Sequence, residues 1–261
     1  MPVTATSNSM DAPWQKYCRG VSVLAGLAGV VWSLIALPPF WAEAQVSSVA
    51  VRILVGEQFK PGTLDPIASR IDASSQLARW YPDLVRARAL IALRSAEEAL
   101  QARSLGDPDR KLAAAEDKLK SSLMLAPADA FLWLMLYWVK NERYGFDAGN
   151  VRYLEQSYAA GPNEGWIALR RNRLALAIFP LLSEELQRKV VSEFAGMVES
   201  EFTDDAARNL TGVGWPQKDR LLASLGRVNM VAREAFAKKL AYDGVKAHVP
   251  GVNLPERMWR Q

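Results

Sequence analysis

One cysteine, Cys18, and one histidine, His248, limit what chemistry this chain can carry out. A lone cysteine cannot close a disulfide within the chain, and the ligands for a zinc site built from several Cys and His are missing. A Ser-His-Asp arrangement would have to use His248, in the irregular stretch Ala247-His248-Val249-Pro250-Gly251, where it reads as a surface residue. Carboxylates are plentiful: Glu97, Glu98, Glu155, Glu164, Glu184, Glu185, Glu193, Glu199, Glu201, Asp204 and Asp205. A glycosidase needs two of them facing one another across a sugar, one with a raised pKa. No spacing here singles out such a pair, and charged helix faces supply adjacent acids by default. The expectation is a protein that is not an enzyme, with no catalytic residues, no cofactor and no metal, working by contact. Tyr137, Trp138, Tyr144 and Phe146 are the candidates for an aromatic contact surface. Arg170, Arg171 and Arg173 are the candidates for binding an acidic partner or a glycan. Core packing competes for the aromatics, and a solvated helix face competes for the arginines.

The 261 residues carry a formal charge of only +4, and half of them are hydrophobic. Such a chain buries a core easily and is not globally disordered. Acids and bases are interleaved, as in Asp107, Asp109, Arg110, Lys111, Glu116, Asp117 and Lys118. That pattern makes a mixed, solvated face and argues against a nucleic-acid stripe.

The elements that would present these residues begin with an anchor. Residues 1–20 form a polar tail ending in Lys16, Tyr17, Cys18 and Arg19, and residues 21–37 then run without a charge. That length lies at the lower edge of what spans a bilayer core. Pro38 and Pro39 stop the helix, and Tyr17 at one end with Phe40 and Trp41 at the other suit the two interfaces. Lys16 and Arg19 precede the span while Glu43 follows it, which keeps the N-terminus inside and exports the rest. Ala42-Glu43-Ala44 has the small-x-small form of a signal-peptidase site, so a removed signal is the competing reading. Both place the bulk outside the cytoplasm: a single-pass inner-membrane protein with its C-terminal domain in the periplasm. Residues 38–66, with Gly56, Pro61-Gly62 and Asp65-Pro66, read as a connector.

From 67 to 245 helical periodicity dominates, and 246–261 reads as an irregular tail. A short helix starts near Ile67. Pro82 suits the first turn of a longer one, on which Leu84, Ala87, Ile91, Ser95 and Glu98 trace a line. Asp107, Ser183 and Thr203 stand where N-caps belong. Phe131 to Val139 is apolar throughout but too short to cross a membrane, so it reads as a central helix buried nearly all round.

An internal match connects these helices. Leu123-Met124-Leu125-Ala126-Pro127-Ala128-Asp129-Ala130-Phe131 is echoed by Tyr158-Ala159-Ala160-Gly161-Pro162-Asn163-Glu164-Gly165-Trp166, with both prolines and both aromatics 35 positions apart. Over roughly residues 81–180 the chain resembles the tetratricopeptide-repeat family, whose helix–turn–helix units bury their apolar faces by stacking. The usual small residues of the first helix are mostly replaced by bulky ones here, and the turn is unusually aromatic. The resemblance implies an all-α fold of stacked helical hairpins. A single anchor followed by such hairpins is similar in layout to accessory proteins of bacterial exopolysaccharide assembly. That implies a scaffold binding envelope proteins, in polysaccharide biosynthesis or export. The alternative is a periplasmic glycan-acting lyase or hydrolase using carboxylates.

Overall fold

The structure, a computed structural model, describes residues 17–34, 82–102 and 107–253, with a few isolated positions between 49 and 69. The polar tail up to residue 16, the Ala42-Glu43-Ala44 site, most of the connector and the tail from Leu254 lie outside the described residues, and of the short helix expected near Ile67 only Pro66, Ile67 and Ser69 are described, all helical. Regular structure among the described residues is entirely helical, as the periodicity requires. By compactness the chain forms two units, residues 1–91 and 92–261, with the boundary inside one helix.

The first helix, α1, is Tyr17–Leu34, with a mean hydropathy of 1.4 and every residue exposed. At 1.5 Å per residue its 18 residues extend about 27 Å, close to the ~30 Å hydrocarbon core of a bilayer. It is long and apolar enough to cross a membrane by length and composition. Residues 35–37 of the expected span lie outside the described residues.

The other helices are α2 (Pro82–Ala102), α3 (Pro108–Leu125), α4 (Ala130–Tyr144), α5 (Val151–Ala160), α6 (Gly165–Ala177), α7 (Glu184–Glu199), α8 (Thr203–Thr211), α9 (Lys218–Ser224) and α10 (Met230–Tyr242). Helix α2 opens on Pro82 as expected, with Leu84, Ala87 and Ile91 buried. Asp107 caps α3 by accepting from the Asp109 N–H, and Ser183 caps α7 by accepting from the Leu186 N–H. Thr203 is not a cap. It is the first residue of α8, and its hydroxyl donates to the Glu201 carbonyl. Packing overrides capping there: Glu201 reverses the chain at φ 63°, and the Phe202 ring lies against Gly165, where a Cβ would come within 3.1 Å of it. Among the described residues past α10, up to Asn253, there is no regular structure, yet Val249 and Val252 are buried and Arg233 donates to the Pro250 carbonyl.

Within residues 92–261, α3 packs on α4, α4 on α5 and α6 on α7; α7 then contacts α8, α9 and α10. The first helices of successive hairpins also meet, α4 with α6 and α6 with α8. These are the stacked hairpins expected from the repeat. The two matched turns are nearly superimposable in backbone: Ala126 and Gly161 have φ/ψ of −133/73° and −146/76°, and Asp129 and Glu164 have −79/98° and −84/96°. Stacking brings matched residues together. The Phe131 and Trp166 rings lie 4.9 Å apart, and Tyr158 hydrogen-bonds Glu193 across the same 35-residue interval. The apolar run of α4 is the center of this arrangement, with Phe131, Leu132, Leu134, Met135, Leu136, Tyr137 and Val139 all buried.

An ion cluster ties α3 to α4. The buried Glu116 receives Lys120 at 2.6 Å, Lys140 at 3.3 Å and Arg143 at 2.5 Å, and Arg143 also reaches Asp109. Burial opposes the Glu116 charge, but the hydrogen bonds from Lys120 and Arg143 and the nearby cations outweigh it and hold the carboxyl below its ordinary value. A lowered native value means stability that is complete above the unfolded-state value and lost as pH falls through the native one. Glu116→Gln should therefore cost about 1–3 kcal/mol at neutral pH and progressively less toward about pH 3. Urea unfolding of both proteins at the two pH values checks this, and an equal cost at both would contradict it.

Candidate functional site

Four first helices meet along one trough of about 980 Å³. Helix α2 contributes Arg94, Glu97 and Gln101; α4 contributes Met135, Trp138 and Glu142; α6 contributes Leu169, Arg170 and Arg173; α8 and the turn after it contribute Asp205, Arg208, Asn209 and Val213. On α2 and α4 these are positions i, i+3 and i+7 and on α8 i, i+3 and i+4, which share a face, while on α6 Arg170 and Arg173 are i and i+3 with Leu169 beside them. Across hairpins they keep the repeat register, since Met135 and Arg170, and Trp138 and Arg173, are each 35 positions apart. The Arg170 guanidinium reaches the Met135 sulfur at 3.7 Å across that interval.

The lining alternates in charge. Arg94 meets Glu97 at 3.1 Å and Glu98 at 3.4 Å, Arg170 meets Glu97 at 3.1 Å, and Arg208 pairs with Asp205. Arg173 has no ion pair among the described residues. Arg170 is half exposed, so its pairing is worth at most about 1 kcal/mol and yields readily to an incoming ligand. Leu100, Leu169, Leu174 and the half-buried Trp138 supply apolar surface between the charges. Mixed polarity over such a volume suits a polypeptide segment that offers both side-chain types.

Of the residues expected to make contacts, the structure gathers Trp138, Arg170 and Arg173 in the trough. Tyr144 and Phe146 are exposed on the turn between α4 and α5, outside the trough lining, with Lys140 and Arg143 stacked on the Tyr144 ring. Tyr137 and Arg171 leave the surface altogether. Tyr137 is 3% exposed, inside α4's core face. Arg171 is fully buried because its helix face turns inward, and all of its donors are used inside the molecule. It pairs with Glu193 at 2.7 and 2.8 Å and donates to the carbonyls of Ser157 at 2.7 Å and Gly161 at 3.0 Å. Its guanidinium lies 4.1 Å from the Tyr158 ring centroid.

The network around that pair underlies the trough floor. Tyr158 donates to Glu193, Asn172 donates to the Val190 carbonyl at 2.9 Å, and Asn209, which lines the trough, donates to Asn172 at 3.2 Å. Burial pushes the Glu193 carboxyl up, against the Arg171 charge and the Tyr158 and Asn172 donors. Burial, then the adjacent Glu193 charge, push the Tyr158 hydroxyl well up, so it stays a donor. The α2 and α8 contributions were not singled out from the sequence. The signal for them was the repeat register: once Trp138 and Arg173 are aligned, equivalent faces on neighbouring helices follow.

Arg171→Met would strand a buried carboxylate, and the expected loss of stability is about 3–5 kcal/mol. Combining it with Glu193→Leu should recover part of that loss, because no unpaired charge then remains. Thermal unfolding of the single and double variants decides the point; a double variant less stable than the single one would count against it. No protein-family model, curated protein or solved structure matches this chain.

Proposed function

We propose that this protein is a membrane-anchored helical-repeat scaffold that assembles envelope proteins on the trough, with its hairpins in the periplasm. The observation that carries the reading is the trough: successive first helices present same-register side chains to one surface, which is how stacked hairpins make extended binding faces. The exposed apolar helix α1 supports anchoring, and Arg19 ahead of the apolar run, with no base until Arg52 beyond it, supports an N-terminus kept inside. The layout resemblance favours exopolysaccharide biosynthesis or export as the setting. In this role the exposed Arg170 and Arg208 exchange their weak ion pairs for partner charges.

A photo-crosslinking residue placed at Trp138 or Arg173 in the native membrane should capture discrete envelope proteins, while one at the exposed Arg152 of α5 should not. Identical capture from all three positions would remove the trough from the account, and turnover of a glycan by the purified protein would replace the scaffold with an enzyme. A phosphatase reporter fused after Gln261 should be active only if the domain is exported, and an inactive, stable fusion would refute the periplasmic placement.

A further inference from the structure

A second concavity, of about 620 Å³, lies between α7 and α9 and shares no lining residue with the trough. Its floor is made of small side chains, Ala195 and Gly196 from α7 and Ala223 and Ser224 from α9. Gly196 sits inside α7, where glycine costs about 0.5–1 kcal/mol relative to alanine. A Cβ built there meets nothing within 4 Å, so no internal neighbour calls for glycine and the free space faces outward.

Three guanidinium groups surround this floor: Arg188 on α7, Arg220 on α9 and Arg227 in the 3-10 turn that follows. Arg220 is held in place, donating to the Gln187 side chain at 2.7 Å and lying 5.2 Å from the Phe179 ring centroid. Arg188 reaches Glu184 only at 4.0 Å, with both side chains well exposed. Arg227 has no carboxylate partner among the described residues. The acid in the lining is Glu199, and both its oxygens are occupied by Asn229, through the backbone N–H at 2.9 Å and the side-chain amide at 2.8 Å. The lining therefore sets three cations against the single carboxylate of Glu199, which the Asn229 amides hold at the rim, over a floor that lets another backbone approach closely.

We infer that this concavity seats an acidic amphipathic α-helix of a partner protein, with its small-residue face on the Ala195, Gly196 and Ala223 floor and its carboxylates on the three arginines. A helix fits better than a polysaccharide. The lining has no aromatic ring to stack a sugar, and its only hydroxyls are Ser192 and Ser224. Small side chains on the floor bring helix axes to the close end of the usual 8–10 Å packing range. The seat is independent of the trough, so its partner need not be the one the trough holds.

The test uses the full chain in nanodiscs of uncharged lipid. The probe is a labelled helical peptide with alanine on one face and glutamate at i, i+3 and i+4 on the other, and its control carries lysine in place of glutamate. The glutamate peptide should bind, more weakly as salt rises, and the lysine peptide should not. Arg188→Glu with Arg220→Glu and Arg227→Glu should weaken binding at least about tenfold. Arg227→Glu alone, on an exposed side chain with no carboxylate partner among the described residues, should leave the fold intact and still weaken binding about threefold or more. Gly196→Trp should block the floor, and Arg152→Glu on α5, outside both surfaces, should leave peptide binding unchanged. Equal binding of the two peptides, or full binding to Arg227→Glu and Gly196→Trp, would overturn the inference. So would an acidic oligogalacturonate that binds where the glutamate peptide does not.

Discussion

A fully buried arginine is tolerable only where every donor finds an acceptor, and Arg171 meets that condition by drawing four helices into one arrangement. Its acceptors come from the end of α5, from the turn before α6 and from Glu193 on α7, while Ser157, one of its partners, in turn donates to the Ala130 carbonyl at the start of α4. Taking this charge out of water costs several kcal/mol unless the geometry holds, so the pair acts more as a constraint on register than as a source of stability. A slip of α6 by one residue would bury an unpaired guanidinium. Asn172 and Asn209 extend the same constraint to α8 and so to the trough.

The repeat register is the other side of this constraint. Matched turns 35 residues apart share a backbone conformation, and the stacking they impose puts Phe131 against Trp166 and Tyr158 against Glu193. The two turns are not interchangeable, however. At the second, a Cβ on Gly161 would come within 2.7 Å of the Ala130 Cβ and 2.5 Å of a Glu164 oxygen, and Gly161 must also hand its carbonyl to Arg171. The matching Ala126 tolerates a side chain. One turn thus carries the stacking, and the other carries the stacking and the buried cation.

Two surfaces result, with different character. The trough mixes signs and pairs most of its charges, whereas the concavity on α7 and α9 sets three arginines against the one lining carboxylate, Glu199. Both depend on α7: its inner face carries Leu186, Val190, Phe194 and Met197 into the core together with Glu193, and its outer face carries Arg188 and Gly196. A helix used on both sides cannot be replaced by one that is merely amphipathic.

The amino-acid pattern by itself determined the helical class, the apolar helix near the N-terminus, the buried run of α4, the caps at Asp107 and Ser183, and the 35-residue period. These follow from local rules, periodicity, capping chemistry and proline punctuation, which act within a turn or two of chain. Only the tertiary structure decided which of Arg170, Arg171 and Arg173 face the trough and which is buried, and why Thr203 gives up its cap to the packing of Phe202. Within four positions of one helix, Arg170 and Arg173 share a face while Arg171 points to another. Whether a given direction meets water or a carboxylate 22 residues away depends on the neighbouring hairpin, which no local rule can see.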